Sequence, residues 1–182
     1  DVDMIYVFLA NGFEITEAMA PVDMMRRAKL DVKTVGIGAD VIESSCGVKV
    51  VADIREKDVD MNNAEAVVVP GGMPGVTNLD ASDFVKNCVC EANDAGKLVC
   101  AICAGPSVPG KLGVLAGKKA VCYPGFEEYL VDCVETDEFV AADGNAITAK
   151  GAGVSVEFGL KIVERLCGEA EAQRIFKSIQ CK

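Results

Sequence analysis

Three features of this chain could do chemistry together: Cys103, the carboxylates of Glu14 and Glu17, and the glycine pair Gly71–Gly72. Cys103 lies in Ala-Ile-Cys-Ala-Gly-Pro, residues 101–106, directly after a short apolar run. Small-x-nucleophile-x-Gly is the cysteine form of the strand-turn-helix elbow. So sharp a turn needs small flanks, here Ala101 and Gly105, because bulk would meet neighbouring backbone. Pro106 is tolerated in a first helical turn, while Pro109 and Gly110 keep the following helix short or irregular. A thiol near a helix N-terminus is expected to be acidic, since free N–H groups and the dipole favour the thiolate. The competing reading is a cysteine packed as a small hydrophobe.

Gly71 and Gly72 end another apolar run, Ala-Glu-Ala-Val-Val-Val-Pro at 64–70. A glycine N–H can approach a ligand closely, and with the Ala104 N–H it could form an oxyanion hole; the alternative is a plain tight turn. Glu14 and Glu17 fall in the first turns of a helical pattern, where carboxylates also occur for dipole reasons alone. If one of them reaches Cys103, its charge state matters. An ionised carboxylate would raise the thiol pKa, whereas a buried protonated one could donate a hydrogen bond to the thiolate. One proton shared between carboxyl and sulfur makes an acid/base–nucleophile pair without histidine.

The chain has nine cysteines and no histidine. A Ser-His or Cys-His relay and a His-rich zinc site are therefore excluded within one chain, and neither a metal nor another cofactor is expected. Cys88 and Cys90 fall two apart in a helical pattern and face different ways. Cys100 and Cys103 form a C-x-x-C, but three extended residues span ~10 Å, beyond the about 7 Å Cα separation of a disulfide. An odd count with irregular spacing in a chain long enough for its own core points to reduced thiols.

The elements that must position these groups alternate. Apolar runs at 4–10, 31–38, 47–54, 64–72 and 118–125 read as strands, and 138–151 as a hairpin around Asp143-Gly144. Helical spacing occupies 13–28, with Pro21 expected to kink it, and a face of Phe84, Val85, Cys88, Val89 and Ala92. A short helix to about Leu115, another at 126–131, and two closing helices at 154–168 and 169–180 complete the pattern. Alternation at this spacing predicts an α/β domain spanning 1–182 with a mostly parallel sheet. Ligands in such sheets bind beyond the strands' carboxyl ends, which is where the three chemical features fall.

A net charge of −10 leaves no basic surplus to meet phosphates, which argues against a nucleic-acid partner. No apolar stretch approaches the ~18 residues of a membrane span, and no basic region precedes the first apolar run. No membrane partner and no signal peptide are expected, and the expected location is cytoplasmic.

Four segments, Gly12–Ala28, Val67–Leu79, Ala101–Pro106 and Gly151–Glu164, resemble in order and spacing the DJ-1/ThiJ/PfpI superfamily, specifically its DJ-1-like branch. The resemblance implies a flavodoxin-like three-layer α/β/α sandwich and a homodimer. It matches Cys103 to the family's nucleophile, Glu17 to the glutamate that hydrogen-bonds it, and Gly72 and Ala104 to the backbone oxyanion donors. Glu14 is left as a solvent-side neighbour. Tyr123 stands where many members carry a histidine, Cys46 where relatives often have an arginine, and Ala152 where they often have a proline; Tyr123 and Ala152 are candidate pocket residues with Glu14. The implied activity is glutathione-independent glyoxalase or deglycase chemistry on small carbonyl substrates such as methylglyoxal. The alternatives are a non-catalytic redox sensor or chaperone and, least supported without histidine, a peptidase.

Overall fold

Along the first strand, β1 (Met4–Leu9), side chains alternate between two cores. Ile5, Val7 and Leu9 enter one, and Tyr6 and Phe8 enter the other, as a period of two requires when both faces are covered. The computed structural model describes residues 2–182. Its main sheet also contains β2 (Asp31–Gly36), β5 (Ile54–Arg55), β6 (Ala64–Val69), β7 (Leu98–Ile102), β8 (Val140–Asp143) and β9 (Ala146–Ala149). Strand order is β5-β2-β1-β6-β7-β9-β8, parallel throughout except the β8–β9 hairpin.

One face carries α1 (Ile15–Arg27), α5 (Ser155–Cys167) and α6 (Glu169–Ser178), whose Met25, Phe158, Ile162 and Ile175 fill the first core. The other carries α3 (Asp83–Asp94) and the short α2 (Gly75–Asp80) and α4 (Ser107–Lys111), with Val85, Val89 and Val108 in the second core. Helices on both faces of a mostly parallel sheet give the flavodoxin-like three-layer sandwich. Among the described residues no helix is long and apolar enough to cross a membrane.

Several local expectations are corrected. Residues 118–125 form no strand; only an isolated parallel bridge links Lys119 to Val134. The run is apolar because Ala120, Val121 and Cys122 are buried, but β7 and β8 already occupy both edges of β9. Side chains hold the segment instead. The Val121 N–H donates to Thr148 Oγ1 at 3.0 Å, and the Lys119 N–H to Asp143 Oδ2 at 2.8 Å. The expected strand at 47–54 divides into β4 (Lys49–Val51), paired antiparallel with β3 (Val41–Glu43) outside the main sheet, and the edge strand β5. Helix α1 runs unbroken through Pro21, and Gly159 of α5 lies so close that a Cβ there would sit 2.8 Å from Pro21 Cα. Within 126–131 only the single 3-10 turn Glu127–Tyr129 forms.

Thr148→Val tests the segment's anchor. Thr148 is 1% exposed, so the isosteric change strands the buried Val121 N–H. A loss of about 1–3 kcal/mol is expected in urea unfolding, with Thr148→Ser close to wild type.

Candidate functional site

The chain turns at Cys103 because that residue takes a left-handed conformation, φ +65, which is uncommon for a side chain with a Cβ. Three backbone hydrogen bonds hold it there. The Cys103 N–H donates to the Ala149 carbonyl at 2.8 Å, the Tyr123 N–H donates to the Cys103 carbonyl at 2.8 Å, and the Gly105 N–H to Ile102 at 2.9 Å. Gly105 must lack a side chain, since a Cβ would lie 2.8 Å from the Ile102 carbonyl oxygen and 3.0 Å from that of Pro70. The elbow read from the sequence is therefore present, and it leaves Cys103 half-buried.

The two glutamates separate into different roles. Glu14 is the N-cap of α1, its Oε2 accepting the Glu17 N–H at 2.7 Å. Its own N–H donates to the Gly71 carbonyl at 2.9 Å, which ties the start of α1 to the turn after β6. Glu17, one helical turn inward, is 1% exposed, and its Oε1 has no hydrogen-bond partner meeting ordinary geometry. That oxygen and the Cys103 Cβ both press on Gly71: a Cβ there would collide with Oε1 and sit 2.6 Å from Cys103 Cβ. Gly71 is thus the spacer that lets carboxyl and thiol meet, a role the sequence reading of the Gly-Gly pair did not include.

Burial raises the Glu17 pKa to about 7, with a smaller push from the Glu14 charge, while Cys103 and the Gly71 N–H pull it down. The thiol does not follow the sequence-based expectation of acidity. Burial, then the Glu17 charge and hydrogen bond, push Cys103 up to about 12, against the opposing N–H groups of Ala104 and Gly72. Two physical facts account for this: burial strips the thiolate of solvent, and the neighbouring carboxylate repels it. A thiolate is favoured when Glu17 takes up the proton, so the pair holds one proton between them.

Gly72 adopts φ +93 and packs against the start of α1, a Cβ there lying 2.8 Å from the Gly12 carbonyl oxygen. Its N–H and that of Ala104 oppose the upward shift of the Cys103 thiol. Tyr123 touches the elbow through its backbone only; its ring, half exposed, stands over Gly151. Tyr123 and Ala152 line an open groove of about 610 Å³ together with Pro124, Phe139 and Val154. A second concavity of about 560 Å³ lies around Cys122, Cys133 and Lys150; neither contains Cys103 or Glu17. Cys100 is buried in β7, and burial drives its thiol far upward. Cys46 is exposed, its Sγ 3.3 Å from Ser44 Oγ, and that hydroxyl lowers its pKa. Among the described residues no group of three or more Cys, Asp or Glu side chains is arranged to hold a metal ion.

The family model described as DJ-1/PfpI family matches residues 3–165. The chain belongs to the DJ-1/PfpI family. It is 35% identical over 176 residues to Protein dj-1beta of Drosophila melanogaster, covering 95% of this chain and 94% of that protein. It is 29% identical to the Caenorhabditis elegans protein named glutathione-independent glyoxalase DJR-1.2, covering 91% of this chain and 89% of that one. Among solved structures, oxidized Toxoplasma gondii DJ-1 superposes with a TM-score of 0.93 at 29% identity, over 98% of each chain.

Within this DJ-1/PfpI chain, Cys103 and Glu17 lie on either side of Gly71, and Gly72 and Ala104 flank them in sequence. Glu14 is drawn into capping α1. Phe139, unremarked in the sequence, joins Tyr123 and Ala152 in the groove; an isolated aromatic in a polar stretch (residues 135–139) gave no periodic signal.

Proposed function

We propose that this DJ-1/PfpI protein is a glutathione-independent glyoxalase acting on small α-oxoaldehydes, with Cys103 as nucleophile and Glu17 as the acid/base. The observation that carries the reading is the buried Glu17 carboxyl, raised to about 7 beside the Cys103 thiol. A group titrating near neutrality can both accept and return a proton. Glu17 takes the thiol proton as sulfur adds to the aldehyde carbon, and the N–H groups of Gly72 and Ala104 stabilise the developing alkoxide. Glu17 returns its proton to that oxygen, giving a neutral hemithioacetal. The carboxylate then removes the carbon-bound hydrogen of the former aldehyde as a proton, giving an enediolate, and delivers it to the adjacent carbon while the hydroxyl proton passes from the former aldehyde oxygen to the former ketone oxygen, leaving a thioester of the 2-hydroxy acid. Water hydrolyses the thioester and regenerates the thiol, so methylglyoxal plus water becomes lactate. The same addition to a glycated thiol or amine would constitute deglycation.

A second reading rests on the same orphan oxygen. Glu17 holding its proton could hydrogen-bond a Cys103 sulfinate, making the site an oxidation sensor or a redox-controlled chaperone without turnover. The proposed active form is a homodimer, supported by exposed Val41, Val48 and Val51 on the β3–β4 hairpin, and its proposed location is cytoplasmic.

The deciding experiment is lactate release from methylglyoxal without added thiol. Release that disappears in Cys103→Ser, with kcat/KM rising with pH through about 7, is the expected result. No lactate, together with Cys103 oxidation by dilute peroxide, would transfer the assignment to the sensor.

A further inference from the structure

The charged side chains that meet at the elbow are of one sign. Glu14 caps α1 within a helical turn of Glu17, and no ion pair among the described residues includes either carboxylate. The charge that acts on Glu17 is that of Glu14, and Cys103 in turn is repelled by Glu17. Lys150 follows Ala149, whose carbonyl takes the Cys103 N–H, but its ammonium is turned to the Phe139 ring, 4.8 Å from the centroid.

The other flank supplies no cation either. There the β3–β4 hairpin docks on the entry to α1: the Ser45 N–H donates to the Phe13 carbonyl at 2.7 Å, and the Gly12 N–H to the Glu43 carbonyl at 2.8 Å. Glu43 stands opposite Lys49 in the hairpin register, so that carboxylate has a neighbour of opposite sign. Glu14 has none. The hairpin turn offers it Cys46, which is exposed, lies within reach of the Glu14 charge and can carry no positive charge.

Glu17 and Cys103 share one proton, so the reacting pair bears one negative charge when sulfur attacks, and Glu14 sets a second beside it. An anionic substrate must approach both in a half-buried site, where charges are screened less than at a free surface. We infer that the site selects α-oxoaldehydes by charge, taking neutral and cationic ones and rejecting those that carry a carboxylate or phosphate, with Glu14 as the specificity-determining residue. The substrate class rests on the glyoxalase reading; the charge selection does not. Glu14 acts through its charge alone, while Cys103 and Glu17 perform the reaction.

The first arm of the test needs no turnover. Methanethiosulfonates bearing a trimethylammonioethyl or a sulfonatoethyl group form a mixed disulfide with Cys103 as methanesulfinate leaves. Peptide mass spectrometry follows Cys103 in a Cys46→Ser background. With each rate normalised to that of 2-mercaptoethanol, the cationic reagent should lead by about tenfold at low salt. The lead should narrow in about 1 M salt, where the Debye length is ~3 Å. Adding Glu14→Gln, whose amide oxygen can still cap α1, should cut the ratio about threefold or more. A ratio near unity before that substitution, or one unchanged by it, overturns the inference.

The second arm compares kcat/KM for hydroxymethylglyoxal and its phosphate ester. The ester should be poorer by about tenfold or more, with the deficit in KM, and Cys46→Arg, which sets a cation beside Glu14, should shrink it. An ester turned over as well as its parent, or a deficit that Cys46→Arg leaves unchanged, overturns the charge selection. If neither aldehyde is converted while the first arm holds, the charge selection stands and only the glyoxalase reading falls.

Discussion

Glu17→Gln is expected to make the protein more stable at pH 8 by about 3 kcal/mol while cutting aldehyde turnover by ~10²–10⁴-fold. The stability gain follows from the buried carboxyl. Its pKa rises from 4.5 to about 7 on folding, so between those values the folded chain holds a proton that the unfolded chain releases. Stability therefore falls as pH rises across that window and stays low above it. The neutral amide has nothing to ionise and escapes the loss. Denaturant midpoints at pH 4 and pH 8 make the check: the two proteins should match at the lower pH and diverge at the higher. A wild type no less stable at pH 8, relative to the variant, would mean that Glu17 is not the buried acid described here. Thiolate absorbance adds a third reading. Without the Glu17 charge the Cys103 thiol should titrate below the wild-type value of about 12, although the variant turns over more slowly. A lower thiol pKa with less activity would separate thiol acidity from the proton transfer that Glu17 supplies.

Gly71→Ala should be the most damaging single methyl in the site. The added carbon would collide with Glu17 Oε1 and lie 2.6 Å from Cys103 Cβ and 2.9 Å from the Ile102 carbonyl oxygen. Two of these neighbours belong to the rigid elbow and cannot yield, so the backbone at residue 71 must back away from the elbow and Glu17 must move with it. Overpacking of this kind costs about 1–3 kcal/mol, and displacement of the acid/base should remove turnover as fully as Glu17→Gln does. The backbone at Gly71, unlike that at Gly72, is not in the left-handed region, so any loss is steric. Gly153→Ala, where a methyl would meet open space, is expected to stay within about 0.5 kcal/mol of wild type in urea unfolding. If Gly71→Ala unfolds like wild type and turns over at the wild-type rate, the close approach of Glu17 to Cys103 is wrong.

Much of this architecture was legible because it depends on local spacing. The short apolar runs at 4–10 and 64–70, rich in β-branched residues and bounded by Gly or Asn turns, suit strands covered on both faces, and both are central parallel strands. The elbow was legible for the same reason: Ala101 and Gly105 are small because any turn placing Cys103 outward crowds its flanks. The run at 118–125 looked equally strand-like and is not one. Whether an apolar run pairs with a given strand depends on that strand having an unpaired side, and β9 is flanked on both sides by β7 and β8. Of the groove residues, Tyr123 and Ala152 were legible through the family resemblance, while Phe139 was hidden because it comes from a separate loop with no period.

The sequence by itself determined the doubly wound α/β class, the elbow at Cys103 and, through four motifs in order, the family. It also left Glu14 and Glu17 open on their residues alone. Only the tertiary structure decided between them, by making one a cap and burying the other against the thiol. It decided the direction of the thiol's titration as well, reversing the helix-terminus expectation. Hydrophobic periodicity and turn sterics are properties of neighbouring residues, whereas a pKa is set by dielectric and by charges that arrive from distant parts of the chain.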